Sequence, residues 1–455
     1  MESKYITLSF FILFLHFITF SNSKSIVKDL PGFDGHLPFT LETGYVGVGE
    51  DDAVQVFYYF VESERNPTED PLLLYLTGGP GTSGLYPFLY QIGPLSFNFE
   101  NSWKNNITLE LIPNSWSKAA NVIFVDLPVG VGFSYAKTWK ASRSSDSIVT
   151  LHSYEFLRKW LVENPRFLSN PLYISGISYM GIIVPNVALE IYNDNERGSQ
   201  PQLNIKGCLL VSPLTDKFID FNSRIEAAHR LALISDDIYQ ATKETCHGNY
   251  IDNDPENTLC LSNLERVDEC TNGINFSNVL DPLCDETNMK PTCREAANIF
   301  IDAWVNNKDV QEALNVREGI IEKWEFTNTS IRYSLDKEDT IYYSYDVFSS
   351  IADHQQLLTK SCQVLVICGD HDMTFPCVGQ EKWISSLNLS IESPWEPWFV
   401  SKQVAGYQMT YAQSQYSLKF ATIKGAGHSV ALYKPKEAFA MMDRWLASHT
   451  YSSGS

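Results

Sequence analysis

LYISGISYMG, residues 172–181, is the stretch on which the reading of this chain turns. An apolar run suited to a buried strand leads straight into Gly-x-Ser-x-x-Gly, and the apolar residues beyond it have helical character. A strand that turns so sharply into a helix tolerates little bulk beside the serine, which accounts for Gly176 two positions before Ser178. Such an elbow lifts the hydroxyl above a sheet and sets it at a helix N-terminus. A buried serine in a plain glycine turn leaves the same local pattern, so the remainder of the chain has to decide.

Outward from the elbow, short apolar, β-rich runs recur at 53–61, 72–76, 121–125, 172–175, 207–212 and 363–368, with helix-length segments between several of them. The segment DSIVTLHSYEFLRKWLVE, 146–163, places apolar residues three and four apart behind Asp146, as an amphipathic helix does. Strands alternating with helices imply a largely parallel sheet. From 215 to 326 that rhythm gives way to polar, cysteine-rich sequence, read as an insertion. The expected organisation is a signal peptide at 1–23, a core in two parts at 24–214 and 327–455, and a cap at 215–326.

Two more segments follow the serine in the order Ser, Asp, His. In VLVICGDHDMTFP, 364–376, a buried strand ends in a loop where the Asp372 carboxylate can accept a bond from an imidazole. FATIKGAGH, 420–428, is again strand, glycine turn and histidine. Ser178, Asp372 and His428 fit nucleophile, orienting carboxylate and general base, while Asp370 and His371 read as loop hydrogen-bonding residues. LLLYLTGGPG, 72–81, ends a strand in Gly78, Gly79, Pro80 and Gly81; one of its amides, with that of Tyr179, would form an oxyanion hole. The set predicts acyl-transfer chemistry on an α/β-hydrolase fold with a mixed central sheet and a cysteine-rich helical or looped insertion over the active site. Neither a cofactor nor a metal is required.

Composition excludes several other classes. With 44% hydrophobic and 19% charged residues in 455, the chain is not disordered throughout. Its 34 Lys and Arg against 54 Asp and Glu give a net charge of −20 without blocks of like charge, which argues against a nucleic-acid partner. Lys4 precedes an apolar run from Ile6 to Phe20, then Ser21, Asn22 and Ser23: a signal peptide too short to be a comfortable membrane span. Sequons at Asn106, Asn275, Asn328 and Asn388 suit passage through the secretory pathway. Among nine cysteines, Cys246, Cys260, Cys270, Cys284 and Cys293 cluster in the polar region. The simplest pairings are Cys246 with Cys260 and Cys284 with Cys293. Cys208, Cys362 and Cys368 lie in apolar runs and read as buried thiols.

Over nearly its whole length the chain resembles the serine carboxypeptidases, and within them the plant serine carboxypeptidase-like acyltransferases. The motifs are LPGFDGHLPFTLETGYVGVG at 30–49, LTGGPG at 76–81, NVIFVDLPVGVGFSYA at 121–136, ISGISYMG at 174–181, CGDHDMTFP at 368–376 and IKGAGHSVALYKP at 423–435. The resemblance implies the same triad, oxyanion amides at Gly79 and Tyr179, and the vacuole or the cell exterior as destination. It also implies departures. Carboxypeptidases of this kind grip the substrate carboxylate with an Asn and two acids sharing a proton, and those positions here are Thr77, Gln91 and Ile177, beside Gly78. Ile177 also replaces the Asp usual in the acyltransferase branch, and Met180 is bulkier than the usual Ala or Ser. Thr82 and Thr327 stand where a disulfide pair would be.

The activity implied is transfer of an acyl group from a 1-O-acyl-β-glucose ester to an acceptor hydroxyl, with water excluded by a pocket that an insertion could supply. An acidic protein with an apolar residue beside its nucleophile suits a small amino alcohol, such as tropine, as acceptor. The alternatives are a serine carboxypeptidase or esterase and, prompted by Ile177 and Met180, a catalytically silent binding paralogue.

Overall fold

The computed structural model describes residues 24–99, 102, 107–284, 296–328 and 343–450. The expected signal peptide at 1–23, Asn106 and Cys293 lie outside them. Eleven strands of one sheet concern us: β1 (Lys24–Val27), β2 (Leu41–Val48), β3 (Val54–Val61), β4 (Leu72–Leu76), β5 (Asn121–Val125), β6 (Leu172–Ile177), β7 (Ile205–Val211), β8 (Gln363–Gly369), β9 (Ser390–Val400), β10 (Gln403–Gln413) and β11 (Tyr416–Ile423). They lie in the order β1-β2-β3-β5-β4-β6-β7-β8-β11-β10-β9. The six from β5 to β11 in that order are mutually parallel, and antiparallel strands extend both edges, so the sheet is mixed.

Alternation across the pleat divides the core into two layers. Leu72, Leu74 and Leu76 of β4, Leu172 and Ile174 of β6, and Val364, Val366 and Cys368 of β8 enter one apolar cluster; Leu73, Tyr75, Tyr173, Ile177, Leu365 and Ile367 enter the other. Burial on both faces explains why these strands read as continuous apolar runs in the sequence. The first layer is covered by α1 (Asp146–Glu163) and α2 (Val184–Glu196), the second by α9 (Pro435–Thr450) among others. Ser145 caps α1, its hydroxyl accepting from the Ile148 amide at 3.2 Å.

Between β7 and β8 run α3 (Lys217–Arg230), α4 (Asp236–Cys246), α5 (Thr258–Thr271), α6 (Ala296–Val305) and α7 (Lys308–Ala313); α8 (Cys377–Ser386) follows β8. Asp216 caps α3 through the Ile219 amide. Residues 276–279 of this region are tied to the loops beyond β8 and β11: Met373 donates to the Phe276 carbonyl, Val279 to that of His371 and His428 to that of Ser277.

Two sequence expectations need correction or completion. Cys368 is not a buried thiol but is bonded to Cys377, nine residues on; the run around it is apolar, and the partner lies across a functional loop where no spacing rule would look. Cys208 and Cys362 are free and buried, whereas Cys270 is free and exposed. Cys246 and Cys260 are joined, and Cys284 is also disulfide-bonded. The hairpin of β9 and β10 was not predicted, because Pro394 and Pro397 and three register shifts interrupt the alternation that would announce it. No helix among the described residues is long and apolar enough to cross a membrane.

Candidate active site

The loops of interest leave the C-terminal ends of adjacent parallel strands, where strand order reverses between β4, β5 and β6; open α/β sheets present their ligand crevices at such places. β6 passes into a single 3-10 turn, Ser178–Gly181, before α2. Ser178 has φ +62°, a left-handed conformation that costs a residue with a Cβ and persists only when its surroundings fix it. They do: the Leu214 amide donates to the Ser178 carbonyl at 2.8 Å, and Ile182 and Ile183 donate back into the turn.

The glycines of the motif are required by close approach. A Cβ on Gly176 would lie 2.8 Å from the Cβ of Met180 and from Val184, and one on Gly181 would lie 2.4 Å from the Leu214 carbonyl oxygen. Met180 fits because its side chain is buried in the first core layer. Its bulk therefore leaves the elbow intact.

Beyond β8, Asp372 is only 2% exposed. Its Oδ2 lies 2.8 Å from Nδ1 of His428, and Oδ1 accepts from the amides of Thr374 (2.7 Å) and Phe375 (3.2 Å). Three donors on one carboxylate fix its orientation, and the ring nitrogen facing it must carry a proton, which leaves Nε2 as the imidazole's acceptor. The Phe375 ring meets the His428 ring edge to face at 5.6 Å. Asp370 instead accepts from the Gly425 amide at 2.7 Å and pairs with His371 Nδ1 at 2.6 Å, bracing the two loops against each other.

Gly78 brings the third loop to the serine: a Cβ there would sit 2.7 Å from the Ser178 Cβ and 3.2 Å from its Oγ. Gly79 follows at φ +130° and is exposed. Thr82 and Thr327 face each other across an isolated bridge, hydroxyl to hydroxyl at 3.2 Å, so a hydrogen bond occupies the place of the missing disulfide. Gln91 donates to the Ser429 hydroxyl at 2.9 Å, while its carbonyl oxygen and the Thr77 hydroxyl are buried without partners among the described residues.

Ile177 departs from expectation. It is 5% exposed and belongs to the second core layer, where Gln91, Trp116, Ser429 and Val430 share with it a cavity of about 10 Å³. Its side chain therefore packs into the core. Strand β6 extends to Ile177, two residues beyond the predicted end, and the pleat turns that side chain inward. The cavity does join the neighbours of Ser178 and His428 in one place.

Two buried acids at the site escaped the sequence reading. Asp126, at the end of β5, accepts from the Ser83 hydroxyl (2.5 Å), the amides of Gly84 (2.8 Å) and Phe133 (2.9 Å), and the Tyr59 hydroxyl (3.4 Å). It holds the chain just beyond the glycine loop, and burial pushes its carboxyl up to about 6 against the pull of these donors. Asp146, first residue of α1, accepts from the Tyr179 and Tyr343 hydroxyls, both at 2.7 Å. An acid closing an apolar strand, or opening an apolar helix, was the available signal. Among the described residues no group of three or more His, Cys, Asp or Glu is placed to hold a metal ion.

A serine elbow, a carboxylate-imidazole pair and a glycine loop on such a sheet define an α/β-hydrolase-type enzyme. The chain belongs to the serine carboxypeptidase family, whose model matches residues 31–448. Serine carboxypeptidase-like 17 of Arabidopsis thaliana is 44% identical over 437 residues, 96% of either chain, and serine carboxypeptidase-like 16 of the same plant is 45% identical over 427 residues, 94% of either chain. Among solved structures, Kex1(Δ)p, a prohormone-processing carboxypeptidase from Saccharomyces cerevisiae, superposes with a TM-score of 0.72 at 19% identity, covering 90% of this chain and 92% of its own.

Proposed function

We propose that this enzyme is an acyltransferase that takes an acyl group from a 1-O-acyl-β-glucose ester onto Ser178 and passes it to an acceptor hydroxyl. His428 takes the Ser178 proton at Nε2 as Oγ attacks the ester carbonyl, then returns it to the departing glucose; the acceptor's proton follows the same route in reverse. Asp372 holds the imidazole, and the Gly79 and Tyr179 amides face the oxyanion. In this reading residues 215–326 form a cap that keeps water from the acyl-enzyme. Asn106, Asn275, Asn328 and Asn388 would carry glycans in a secreted or vacuolar protein.

The observation that carries the choice of transfer over peptide release is the identity of the residues at the positions that resemble a carboxylate-binding set. They are Thr77, Gln91 and Ile177, none of them an acid. A peptide C-terminus would meet no protonated partner there, forfeiting charge-assisted bonds of about 1.5–3 kcal/mol each. For the acceptor, the net charge of −20 favours a cationic alcohol. We assign a small amino alcohol such as tropine, with phenyllactyl-glucose as donor, the product then being littorine.

The test is incubation of purified protein with acyl-glucose, with and without candidate alcohols, alongside an active-site phosphonate. Labelling at Ser178 and ester formation are expected. Ser178→Ala and His428→Ala abolish turnover, and Asp372→Asn lowers it roughly 10⁴-fold. Robust release of the C-terminal residue from blocked dipeptides would establish a carboxypeptidase instead, hydrolysis of acyl-glucose without transfer an esterase, and absence of labelling a silent binding protein.

A further inference from the structure

Tyr179 follows Ser178 directly, and its amide points wherever the first residues of the elbow point. Its backbone is held by the turn, and its side chain is held at the far end as well. The hydroxyl donates to Asp146 Oδ1 at 2.7 Å. That oxygen also accepts from Tyr343 at 2.7 Å, and Oδ2 accepts from the Val347 amide at 3.0 Å. Asp146 is fully buried at the first position of an 18-residue helix, where the helix dipole favours a carboxylate.

The segment that supplies Tyr343 and Val347 is itself anchored around this point. Tyr343 and Ser344 pair in parallel with Ser144 and Ser145, immediately before Asp146, and Asp346 accepts from the Ser147 amide at 3.1 Å. The ring of Tyr345, on the same segment, meets Tyr179 edge to face at 5.9 Å. Three stretches remote in sequence thus converge on one carboxylate, which touches the residue after the nucleophile and not the nucleophile itself.

We infer that Asp146 is a positioning residue for acyl transfer: by gripping the Tyr179 hydroxyl it fixes the backbone of the elbow, and hence the direction of the Tyr179 amide toward the oxyanion. The inference rests on the reading of Tyr179 as an oxyanion donor. A long ring tethered at both ends limits rotation at its own Cα, and a donor off line by a fraction of an ångström forfeits part of its transition-state stabilisation while leaving ground-state binding unchanged. Burial, and then the neighbouring charge of Asp146, push the Tyr179 phenol well above its ordinary value, so it remains a donor throughout the working range. Burial raises the Asp146 carboxyl, and the two phenols and the Val347 amide pull it back.

The experiment measures phosphonate labelling rate and ester turnover per titrated Ser178 in the full chain, which separates the rate per active site from the amount of folded protein. Asp146→Ala and Tyr179→Phe are each expected to lower kcat roughly tenfold to a hundredfold, less than the about 10²–10³ of losing an oxyanion donor outright, with KM within about twofold of the parent. The double variant is expected to be no slower than the slower single one, because both break the same bond. Tyr343→Phe, which leaves the Tyr179 bond in place, keeps the per-site rate while lowering Tm, and Tyr179→Phe keeps the proposal testable if Asp146→Ala folds poorly. Unchanged per-site rates in Tyr179→Phe, multiplicative losses in the double variant, or a Tyr343→Phe loss equal to that of Tyr179→Phe would overturn the inference. A parent that is never labelled at Ser178 would instead overturn the enzymatic reading beneath it.

Discussion

At the scale of single residues, Ile177 separates what a motif announces from what a side chain does. Adjacency to the nucleophile made it a candidate for the substrate wall, yet the strand period carries it into the core with Gln91, Trp116 and Val430. An Asp placed there gains a ready acceptor in the unpartnered Gln91 carbonyl oxygen only while it keeps its proton. Its folded pKa is then raised, so the stability it leaves is present at low pH and lost as pH rises through that value. Ile177→Asp is therefore expected to lower Tm by at least about 3 °C at pH 8 and by less at pH 5; calorimetry at the two pH values measures it, and an equal shift at both would contradict the burial argument. Ser178, Asp372 and His428 could be picked out as candidates because each lies at or just beyond a strand-to-loop junction with its own glycine. Asp126 and Asp146 were not, because their partners Tyr59, Ser83 and Tyr343 come from segments that sequence cannot bring together.

At the scale of elements, the loop of residues 369–376 is the part of the site with its own fastening. It carries Asp372, leaves β8 and is closed at the first residue of α8 by Cys368 and Cys377. A link across so short a loop stabilises the folded state by about 2–3 kcal/mol on the chain-entropy account. It also limits how far Asp372 can drift from the imidazole it orients. The double variant Cys368→Ala, Cys377→Ala is expected to lower both Tm and the per-site acylation rate, and to leave Cys246–Cys260 intact in peptide mapping. A Tm loss with an unaltered rate would show that hydrogen bonds alone fix the loop. The parallel strands were readable because burial on both faces writes an apolar run, whereas β9, exposed over most of its length, and β10, half-buried over most of its own, write no such signal.

For the whole molecule, stability against pH is set by opposing buried groups. Burial pushes Asp220 up to about 7 and Asp126 up to about 6, so both hold their protons more tightly folded than unfolded. Their contribution is complete below the ordinary carboxyl value and is lost as pH rises through 6 to 7. His354 opposes them: buried against Trp383 with both ring nitrogens unpartnered among the described residues, it is pushed down to about 3, and stability is lost as pH falls below its ordinary value. Asp220 offers the cleaner test because its two oxygens differ. Oδ2 accepts from the amides of Thr215 (2.7 Å) and Asp216 (3.0 Å) at the start of α3, while Oδ1 is buried without a partner among the described residues, the place for a proton. Asn is isosteric, keeps the oxygen that accepts both amides and cannot acquire a charge. Asp220→Asn is expected to match the parent within about 1 °C at pH 5 and to exceed it progressively from pH 6 to pH 8, as the parent alone becomes obliged to bury an anion. Thermal unfolding of the two proteins across that range measures the difference, and a gap independent of pH would mean that Asp220 is already ionised in the folded protein at pH 5.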